Sequence, residues 1–369
     1  MLLPLLLGGC ATLGYYGQAI RGHVDLLARA RPVDTVIRDP ATPPALRERL
    51  EQVKAARDFA SRELGLPDND SYRRYADLGR PYAVWNVFAT PELSLQPRQW
   101  CFLLVGCVSY RGYFAREHAE REAAALRERG DDVYIGGVVA YSTLGTTDDP
   151  LLNTMLHRGV IETVAVVFHE LAHQRVYLRG DTPFNESFAV AVEEEGVHRW
   201  LARPGQEQER ERERIGRERR QAFTALLLRY RERLDRLYRS TIPDEDKRLD
   251  KLKLFAELRA DYAALRTRWG GDDRYDRWMS TDLNNAKLAA VGTYHRYAAA
   301  FRTLLARRNG DLEKFYEDVR ARAELSKNER EARLNQLCCA GQKLHNNTGL
   351  GQIDQAEHHS AEFYRSADE

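Results

Sequence analysis

Two histidines and a glutamate, in the run His169-Glu170-Leu171-Ala172-His173, are the residues of this sequence best suited to chemistry. Four residues of α-helix turn about 400°, so the two imidazoles project from one face about one turn apart. Both can then bind a single Zn²⁺ ion at about 2.0–2.1 Å. Glu170 is offset by about 100° on such a helix, so it can reach a water molecule beside the ion without binding the ion itself. The run therefore predicts a catalytic zinc centre with Glu170 as the general base.

The two histidines need a further protein ligand, because a catalytic zinc ion takes three and leaves a fourth position for water. We favour Glu186, since only twelve residues separate it from His173 and residues 179–183 between them are typical of a turn. Such a turn folds the next helix back towards the histidines. Glu193 lies seven residues further, on the same helix face. It is the alternative ligand, a hydrogen-bond partner of a histidine, or an exposed carboxylate.

The pattern His-Glu-x-x-His also occurs by chance in ordinary amphipathic helices. Here residues 164–168, directly before His169, are all apolar, which predicts a largely buried helix. Burying two histidines and a glutamate is costly unless they are paired or bind a metal. This favours a zinc site over a chance match. Glu162, seven residues before His169, either contacts a ligand histidine or has a structural role.

The composition is that of an ordinary globular protein and excludes some classes of function. The chain has 369 residues, 43% of them hydrophobic, and its 56 basic and 55 acidic residues leave a net charge of +1. Because these charges nearly cancel, the chain has no electrostatic field of one sign, and nucleic acid is not an expected partner. The Glu/Arg-rich run at 207–220 places opposite charges three residues apart and predicts a solvated helix face. No apolar run approaches the ~20 residues of a membrane-spanning helix.

The N-terminus resembles a bacterial lipoprotein signal. A short apolar run at residues 2–7 is followed by Gly8-Gly9-Cys10, the pattern of small residues before a cysteine that is acylated. No Lys or Arg precedes the apolar run, which departs from the usual signal. Lipidation of Cys10 would tether the chain, and Ala11 favours the outer membrane. We therefore expect a lipid-anchored protein on the periplasmic side of the cell envelope, with a merely apolar N-terminus as the alternative.

Two further cysteines, Cys101 and Cys107, lie close together in the sequence. In one straight strand they would be about 20 Å apart, too far for a disulfide. A bond between them needs a tight reversal, for example near Gly106, and an oxidising compartment. Two buried thiols are an equally good alternative.

Helical periodicity predominates along the chain. It predicts helices at about residues 15–31, 44–64, 115–130, 160–177, 185–200, 206–238, 246–269, 282–307 and 311–323. β-Branched and aromatic residues predict strands at 83–88, 100–105 and 133–139. We therefore expect an α+β, mostly helical fold. Its parts would be a lipoprotein signal at 1–10, an N-terminal helical segment at 11–80, a catalytic core with a small β-sheet at 81–200, a helical C-terminal part at 201–337 and a flexible tail at 338–369.

The zinc motif, followed by Asn185-Glu186-Ser187-Phe188-Ala189, resembles the gluzincin peptidases, in which a glutamate on the second helix is the third zinc ligand. The Gly-x-Met-Glu-Asn motif that holds the substrate amine in zinc aminopeptidases of that group is absent from this sequence. A closer resemblance, over roughly residues 80–310, is to the bacterial putative aminopeptidase family of predicted zinc lipoproteins. The matching stretches are residues 89–95, 106–114, 140–145, 184–189 and 284–286 together with the zinc motif.

The resemblance implies a zincin-like metallopeptidase fold and further site residues. Gluzincins often place a Tyr or His on a later helix beside the reacting carbonyl, so Tyr294 is the leading candidate to stabilise the oxyanion, with His295 behind it. A packed helix aromatic is the alternative for Tyr294. Zincins also place an edge strand along the cleft before the zinc helix, so Tyr141, Ser142 and Thr143 are candidates for substrate binding. A purely structural edge strand is equally compatible with that segment.

The sequence thus predicts a zinc-dependent peptidase, in the first place an aminopeptidase that acts on peptides. An aminopeptidase needs an acidic group for the free α-amine, and Glu92 and Glu193 are candidates, although an exposed carboxylate is the default. An endopeptidase acting on an envelope protein is the alternative with the same chemistry, and an open groove would favour it. A non-catalytic lipid-anchored scaffold with a structural zinc is the third hypothesis, which the presence of Glu170 disfavours.

Overall fold

Helices make up most of the structure, and short strands lie between them in the N-terminal part. The computed structural model describes residues 5–102, 106–157 and 159–345. The first elements are α1 (Leu5–Arg29), β1 (Arg31–Pro32), α2 (Val33–Arg38), α3 (Pro44–Leu64), β2 (Arg74–Ala76), β3 (Val84–Pro91), β4 (Trp100–Phe102), β5 (Gly106–Val108), β6 (Arg111–Tyr113), α4 (Arg116–Glu128), β7 (Asp131–Val138), β8 (Leu151–Leu152) and α5 (Asn153–Leu156). They are followed by α6 (Val160–Arg175), α7 (Thr182–Leu201), α8 (Glu207–Arg239), α9 (Asp244–Arg268), α10 (Asp276–Ser280), α11 (Asn285–His295), α12 (Ala298–Arg307), α13 (Leu312–Ala323) and α14 (Lys327–His345).

β3 is the central strand of the main sheet, whose strand order is β6-β3-β7. β3 and β7 pair in antiparallel register along the full eight residues of each. Because side chains alternate between the two faces of a strand, Trp85 and Val87 share one face and Val84 and Asn86 the other. Trp85 and Val87 pack with α4 in one apolar cluster. The face with Val84 and Asn86 therefore points away from α4.

Two smaller sheets complete the strands. One, of order β1-β2-β8, joins the N-terminal segment to the residues that precede α5. The other is the β4–β5 hairpin, in which Cys101 is paired with Cys107 and bonded to it in a disulfide. Of the two alternatives left open by the sequence, the structure thus has the bonded pair. Phe102 and Val108 each follow a cysteine, so they lie on the face of the hairpin opposite to the disulfide.

The main apolar core surrounds α6, the helix with the two histidines. α6 packs against α3 and α7, and its Val164, Val167, Phe168 and Leu171 are fully buried. The same cluster includes apolar residues of α1, α3, α7, α12 and α13. The prediction of a largely buried zinc-motif helix is confirmed, and the predicted N-terminal, catalytic and C-terminal segments share this one core.

A second apolar cluster joins the main sheet to α8, α9 and α11. Phe223 of α8 stacks on Tyr275 with the ring centroids 3.9 Å apart. α11 contacts α7, β3 and β7. The side chain of Asn284 caps α11 by accepting a hydrogen bond from the Lys287 backbone N–H at 3.1 Å, and it donates to the Val133 carbonyl at 3.0 Å. The sequence stretch 284–286 therefore fixes α11 on the sheet.

The Glu/Arg-rich start of α8 forms ion pairs on an exposed helix face, as its spacing predicts. Arg212 contacts Glu209 at 2.6 Å, and Arg214 contacts Glu211 at 2.6 Å. All four side chains are substantially exposed, so these pairs contribute little to stability.

Several predictions of local structure were wrong. The helix predicted at 282–307 is divided into α11 and α12 at residues 296–297. Of the strand predicted at 100–105, residues 100–102 form β4, and residues 103–105 lie outside the described residues. β1, β2, β5, β6 and β8 were not predicted, since two or three residues are too few to show a periodicity.

Residues 140–145, predicted as an edge strand, form a loop instead. Leu144 and Gly145 have left-handed backbone angles, with φ of 57° and 80°, which no regular strand contains. The cause is Asp149, whose carboxylate accepts hydrogen bonds from the Thr143 backbone N–H and hydroxyl, both at 2.8 Å. These local hydrogen bonds take the place of the backbone hydrogen bonds that a strand would form with a neighbouring strand.

The predictions for the two ends of the chain fall mostly outside the described residues. Residues 1–4 of the predicted signal lie outside them, and so does the side chain of Cys10, although Cys10 belongs to α1. The predicted tail at 338–369 overlaps α14 as far as His345 and otherwise lies outside the described residues. Within the described ranges, none of the helices combines the length and apolar character that crossing a bilayer requires.

Gly196 allows α7 to approach α6 closely, and this gives a test of the packing. A Cβ at Gly196 would lie 2.6 Å from Phe168 Cδ2 and 2.8 Å from Leu64 Cδ1. We expect Gly196→Val to lower the free energy of unfolding in urea by about 1–3 kcal/mol through overpacking. Gly17→Val in α1 is the matched control, because no atom lies within 4 Å of a Cβ there, and it should change stability by less than about 0.5 kcal/mol. Equal stabilities of the two variants would contradict this packing.

Candidate metal centre

His169 and His173 lie on one face of α6, with their ring centroids 4.9 Å apart. Only 1% of His169 and 7% of His173 is exposed. The four-residue spacing brings the two rings together, and the apolar residues before them keep this part of α6 inside the core. Both imidazoles are therefore fixed in position in a region with little water.

Glu186 of α7 reaches both histidines with one carboxylate oxygen. Its Oε2 lies 3.2 Å from His169 Nε2 and 3.6 Å from His173 Nε2. One potential ligand atom from each of the three residues lies within 4.8 Å of those of the other two. The structure thus brings together the three residues that the sequence predicted as ligands, and this cluster could hold a metal ion.

Glu193 contacts the other ring nitrogen of His169. Its Oε2 lies 2.9 Å from His169 Nδ1, while Nε2 of the same ring faces Glu186. Glu186 and Glu193 are two turns apart on α7, which places both carboxylates on the side facing α6. Of the three roles considered for Glu193, the structure places it as the hydrogen-bond partner of a histidine. Such a partner orients the ring and strengthens it as a ligand.

The turn between α6 and α7 is fixed by Asn185, the residue before Glu186. The Asn185 side chain donates to the Leu178 carbonyl at 2.8 Å and accepts from the Leu178 backbone N–H at 2.7 Å. Asn185 therefore closes the connecting loop on itself and determines where α7 begins.

Two contacts from the C-terminal helices also position α7. Asp181 caps α7 by accepting from the Phe184 backbone N–H, and it forms a buried ion pair with Arg330 of α14 at 2.7 Å. Ser187 accepts from the Tyr297 backbone N–H at 3.0 Å and donates to the Tyr294 carbonyl at 3.3 Å. Glu186 is thus placed by residues more than one hundred positions later in the chain.

The electrostatics of the cluster favour a positive charge between the three side chains. Burial disfavours a charged imidazole, but hydrogen bonds with Glu186 and Glu193 outweigh it and raise the pKa of His169 to about 10. Burial likewise disfavours a charged Glu186, but His173 and His169 outweigh it and lower the pKa of that carboxyl to about 2. A buried carboxylate therefore requires a cation, supplied by protons on the imidazoles or by a metal ion.

The donor set fits zinc. Two imidazole nitrogens and one carboxylate oxygen suit Zn²⁺, whereas Mg²⁺ and Ca²⁺ prefer oxygen ligands alone. Both Nε2 atoms face the Glu186 oxygen, so one ion between them could contact all three donors. The chemistry of the donors therefore favours zinc among divalent ions.

A cleft of about 750 Å³ opens onto this centre. His169, Glu170, His173 and Glu186 lie in its wall, beside Val84 and Asn86 from the face of β3 opposite to α4. The other lining residues come from α1, the β4–β5 hairpin, the segment 108–114, the end of β7 and the loop after it, the connection between α6 and α7, and the helices α7 and α11. They are Tyr15, Tyr16, Ala19, Phe102, Val108, Tyr110, Gly112, Phe114, Val138, Ala140, Tyr141, Ser142, Leu144, Tyr177, Thr182, Asn185 and Tyr294. The volume is that of a typical small-ligand site.

Of the predicted substrate-binding residues, Tyr141 and Ser142 line the cleft but Thr143 does not. The Thr143 hydroxyl instead bonds to Asp149 and lies 3.1 Å from the Thr147 hydroxyl. Asp149 is buried and gives this loop its shape. We did not single out Asp149 from the sequence, because nothing in its local pattern indicated the contact with residue 143.

Tyr294 lines the cleft, as expected of an oxyanion donor, and Tyr110 and Tyr177 also line it. Burial, and then the negative charge of Glu186, raise the pKa of Tyr110 well above its usual range and that of Tyr177 to a lesser degree. The side chain of His295 lies outside the described residues. Tyr177 could have been found in the sequence by its position one turn after His173, whereas Tyr110 comes from a distant segment.

The remaining candidate carboxylates do not line the cleft. Glu92 pairs with Arg248 at 2.9 Å, and both side chains are exposed. Glu162 lies in the first turn of α6, two turns before His169. An acidic side chain there interacts favourably with the positive end of the helix dipole. Neither Glu92 nor Glu193 is thus placed to bind a substrate amine.

Two buried histidines and a glutamate from consecutive helices, facing a cleft, define a candidate metalloprotein. The chain belongs to the family described as "Putative aminopeptidase", whose model matches residues 14–334. This match confirms the resemblance to the putative aminopeptidase family, whereas the resemblance to the gluzincins stays a prediction. No curated protein and no solved structure matches the chain at a significant level.

The contact between Glu193 and His169 gives a prediction for metal affinity. We expect Glu193→Gln to weaken zinc binding by about 10–100-fold, because His169 loses the charged partner that orients its ring. Competition with a fluorescent zinc chelator would measure the change. Glu195→Gln is the matched control on the same helix, since Glu195 pairs with Arg199 at 2.6 Å and should leave the affinity unchanged. Wild-type affinity in the Glu193 variant would show that this contact does not support the site.

Proposed function

We propose that the chain is a zinc-dependent peptidase that hydrolyses peptide bonds with Glu170 as the general base. The observation that supports this most directly is the convergence of His169, His173 and Glu186 at the wall of the cleft. The family description supports peptide hydrolysis independently, because the family is named for an aminopeptidase activity. The zincin-like class of fold belongs to the same proposal.

Glu170 has the position that the base requires. It follows His169 on α6 and lines the cleft, but it is not part of the cluster of three potential ligands. Zinc bound there would lower the pKa of a coordinated water and polarise the peptide carbonyl. Glu170 would take the proton from the attacking water and pass it to the leaving amine.

A hydroxyl beside the reacting carbonyl would stabilise its developing negative charge. Tyr294 remains our first candidate for this role, since it comes from α11 and lines the same cleft as Glu170. Tyr110 and Tyr177 are the alternatives that the structure adds.

Removal of N-terminal residues is the first form of this activity, in agreement with the family description. A specific observation also favours an endopeptidase. Among the cleft residues that the structure describes, Glu170 and Glu186 are the only carboxylates, and both have roles at the metal centre. The described lining therefore has no further carboxylate that could bind the α-amine of a substrate. A non-catalytic zinc scaffold is disfavoured, because Glu170 faces the cleft.

Replacement of the base tests the proposal. We expect Glu170→Gln to reduce kcat by about 10²–10⁴-fold while one zinc ion per chain stays bound, since the variant loses only its proton acceptor. Glu162→Gln on the same helix should retain activity and zinc. The assay would measure hydrolysis of a peptide library by mass spectrometry, together with the zinc content. Undiminished hydrolysis by Glu170→Gln would refute the assigned base.

The same assay distinguishes the two forms of peptidase. Each peptide would be supplied with a free and with an acetylated N-terminus. Cleavage of the free peptides only would identify an aminopeptidase, whereas cleavage of both at internal bonds would identify an endopeptidase.

We also propose that the protein is lipid-anchored at Cys10, on the periplasmic side of the outer membrane. The residues before Cys10 support this, and the Cys101–Cys107 disulfide agrees with an oxidising compartment. Cys10 and the cleft residue Tyr15 belong to one helix, α1. Five residues of helix are about 7.5 Å long, so an anchor at Cys10 would keep the cleft close to the bilayer surface.

Substitution of the anchor residue tests the localisation. In a bacterial host we expect the wild-type protein to incorporate labelled palmitate and to sediment with membranes. Cys10→Ser should lose both properties, because it lacks the thiol that is acylated. Cys338→Ser, a change far from the N-terminus, should behave as wild type. Membrane association of the Cys10 variant without label would contradict the anchor.

A further inference from the structure

The cleft beyond the metal centre is uncharged. Among its described lining residues, the ionisable acidic and basic side chains are those of His169, Glu170, His173 and Glu186. The rest of the lining is apolar, aromatic or neutral and polar, with Asn86, Ser142, Thr182 and Asn185 as the neutral polar side chains. A charged substrate side chain placed there would lose its hydration without gaining a partner of opposite charge.

The part of the cleft formed by α1 and the β4–β5 hairpin is aromatic and rigid. Tyr15 of α1 stacks on Phe102 of the hairpin with ring centroids 5.3 Å apart, and it meets Tyr113 edge-on at 5.6 Å. The Cys101–Cys107 disulfide ties together the two strands of the hairpin. We call Tyr15, Tyr16, Ala19, Phe102 and Val108 the aromatic wall.

A cation contacts this wall without being among the described lining residues of the cleft. The guanidinium group of Arg111 lies over the Tyr15 ring at 4.3 Å from its centroid. It also pairs with Glu122 of α4 at 3.2 Å. Its charge is therefore compensated within the protein, and it reinforces Tyr15 without offering a site for an acidic substrate group.

We infer that the cleft selects peptides with a large apolar or aromatic side chain next to the cleaved bond, which packs against the aromatic wall. This inference rests on the proposed peptidase function and adds the class of substrate. Transfer of a Leu- or Phe-sized side chain into such a site improves binding by about ten- to a hundredfold. A preorganised aromatic surface adds to this, because little side-chain entropy is lost on binding.

The wild-type enzyme loaded with zinc gives the first test. Peptides that differ only at the residue next to the cleaved bond would carry Phe, Leu, Lys or Glu there, and kcat/KM would be measured for each. We expect Phe and Leu to exceed Lys and Glu by at least about tenfold. Equal or better cleavage of the Lys or Glu peptide would overturn the inference while the proposed function stands. Failure to cleave any peptide would contradict the proposed function and this inference together.

A charge added to the aromatic wall gives the second test. Ala19 lines the cleft, so Ala19→Glu should lower kcat/KM for the Phe peptide by about tenfold and improve that for the Lys peptide. Ala28→Glu is the matched control. It lies nine residues later on α1, half a turn around the helix, and is exposed, so the Phe-to-Lys ratio should stay at the wild-type value. An unchanged ratio in Ala19→Glu would show that the aromatic wall does not contact the substrate.

Discussion

A buried carboxylate between two imidazoles is the interaction on which the site depends. Glu186 is 8% exposed and has both His169 Nε2 and His173 Nε2 within 3.6 Å. Removing such a charge from water costs several kcal/mol unless a cation compensates it. A divalent ion bound by all three residues would meet this requirement and would also give the cleft a reactive centre. The chemistry of the site and the stability of the surrounding helices are therefore coupled.

The scaffold fixes this cluster through contacts that reach far along the chain. Asn185 closes the loop before α7 locally, whereas Asp181 depends on Arg330 of the last helix. Ser187 ties α7 to α11, the helix that places Tyr294 in the cleft. The helices α11 and α14 thus help to position Glu186 and one wall of the cleft. Glu193 completes the arrangement by orienting His169.

The three residues of the cluster could be predicted from the sequence because their geometry is local. His169 and His173 are related by helical periodicity alone, and Glu186 follows after a short connection. Most of the strands at 84–91 and 131–138 could also be predicted, because their amino-acid composition differs clearly from that of the helices. The apolar residues before His169 also indicated that α6 would be buried.

The remaining features depend on contacts between distant residues, which periodicity does not encode. The aromatic wall joins α1 to a hairpin about ninety residues later. The loop at 140–145 follows from the hydrogen bonds that the carboxylate of Asp149 accepts, and not from the resemblance that predicted a strand there. The ion pair of Asp181 with Arg330 likewise has no signature in either segment.

The most direct test of the account is the coordination of the metal itself. X-ray absorption at the zinc edge, on the protein loaded with one equivalent of Zn²⁺, would report the type and number of ligand atoms. We expect a four-coordinate ion with two imidazole nitrogens at about 2.0–2.1 Å, one carboxylate oxygen and one further oxygen from water. The imidazole signal should weaken in His169→Ala and in His173→Ala. Sulfur ligands, or a spectrum unchanged by these substitutions, would show that zinc binds elsewhere and would remove the basis for the proposed hydrolase.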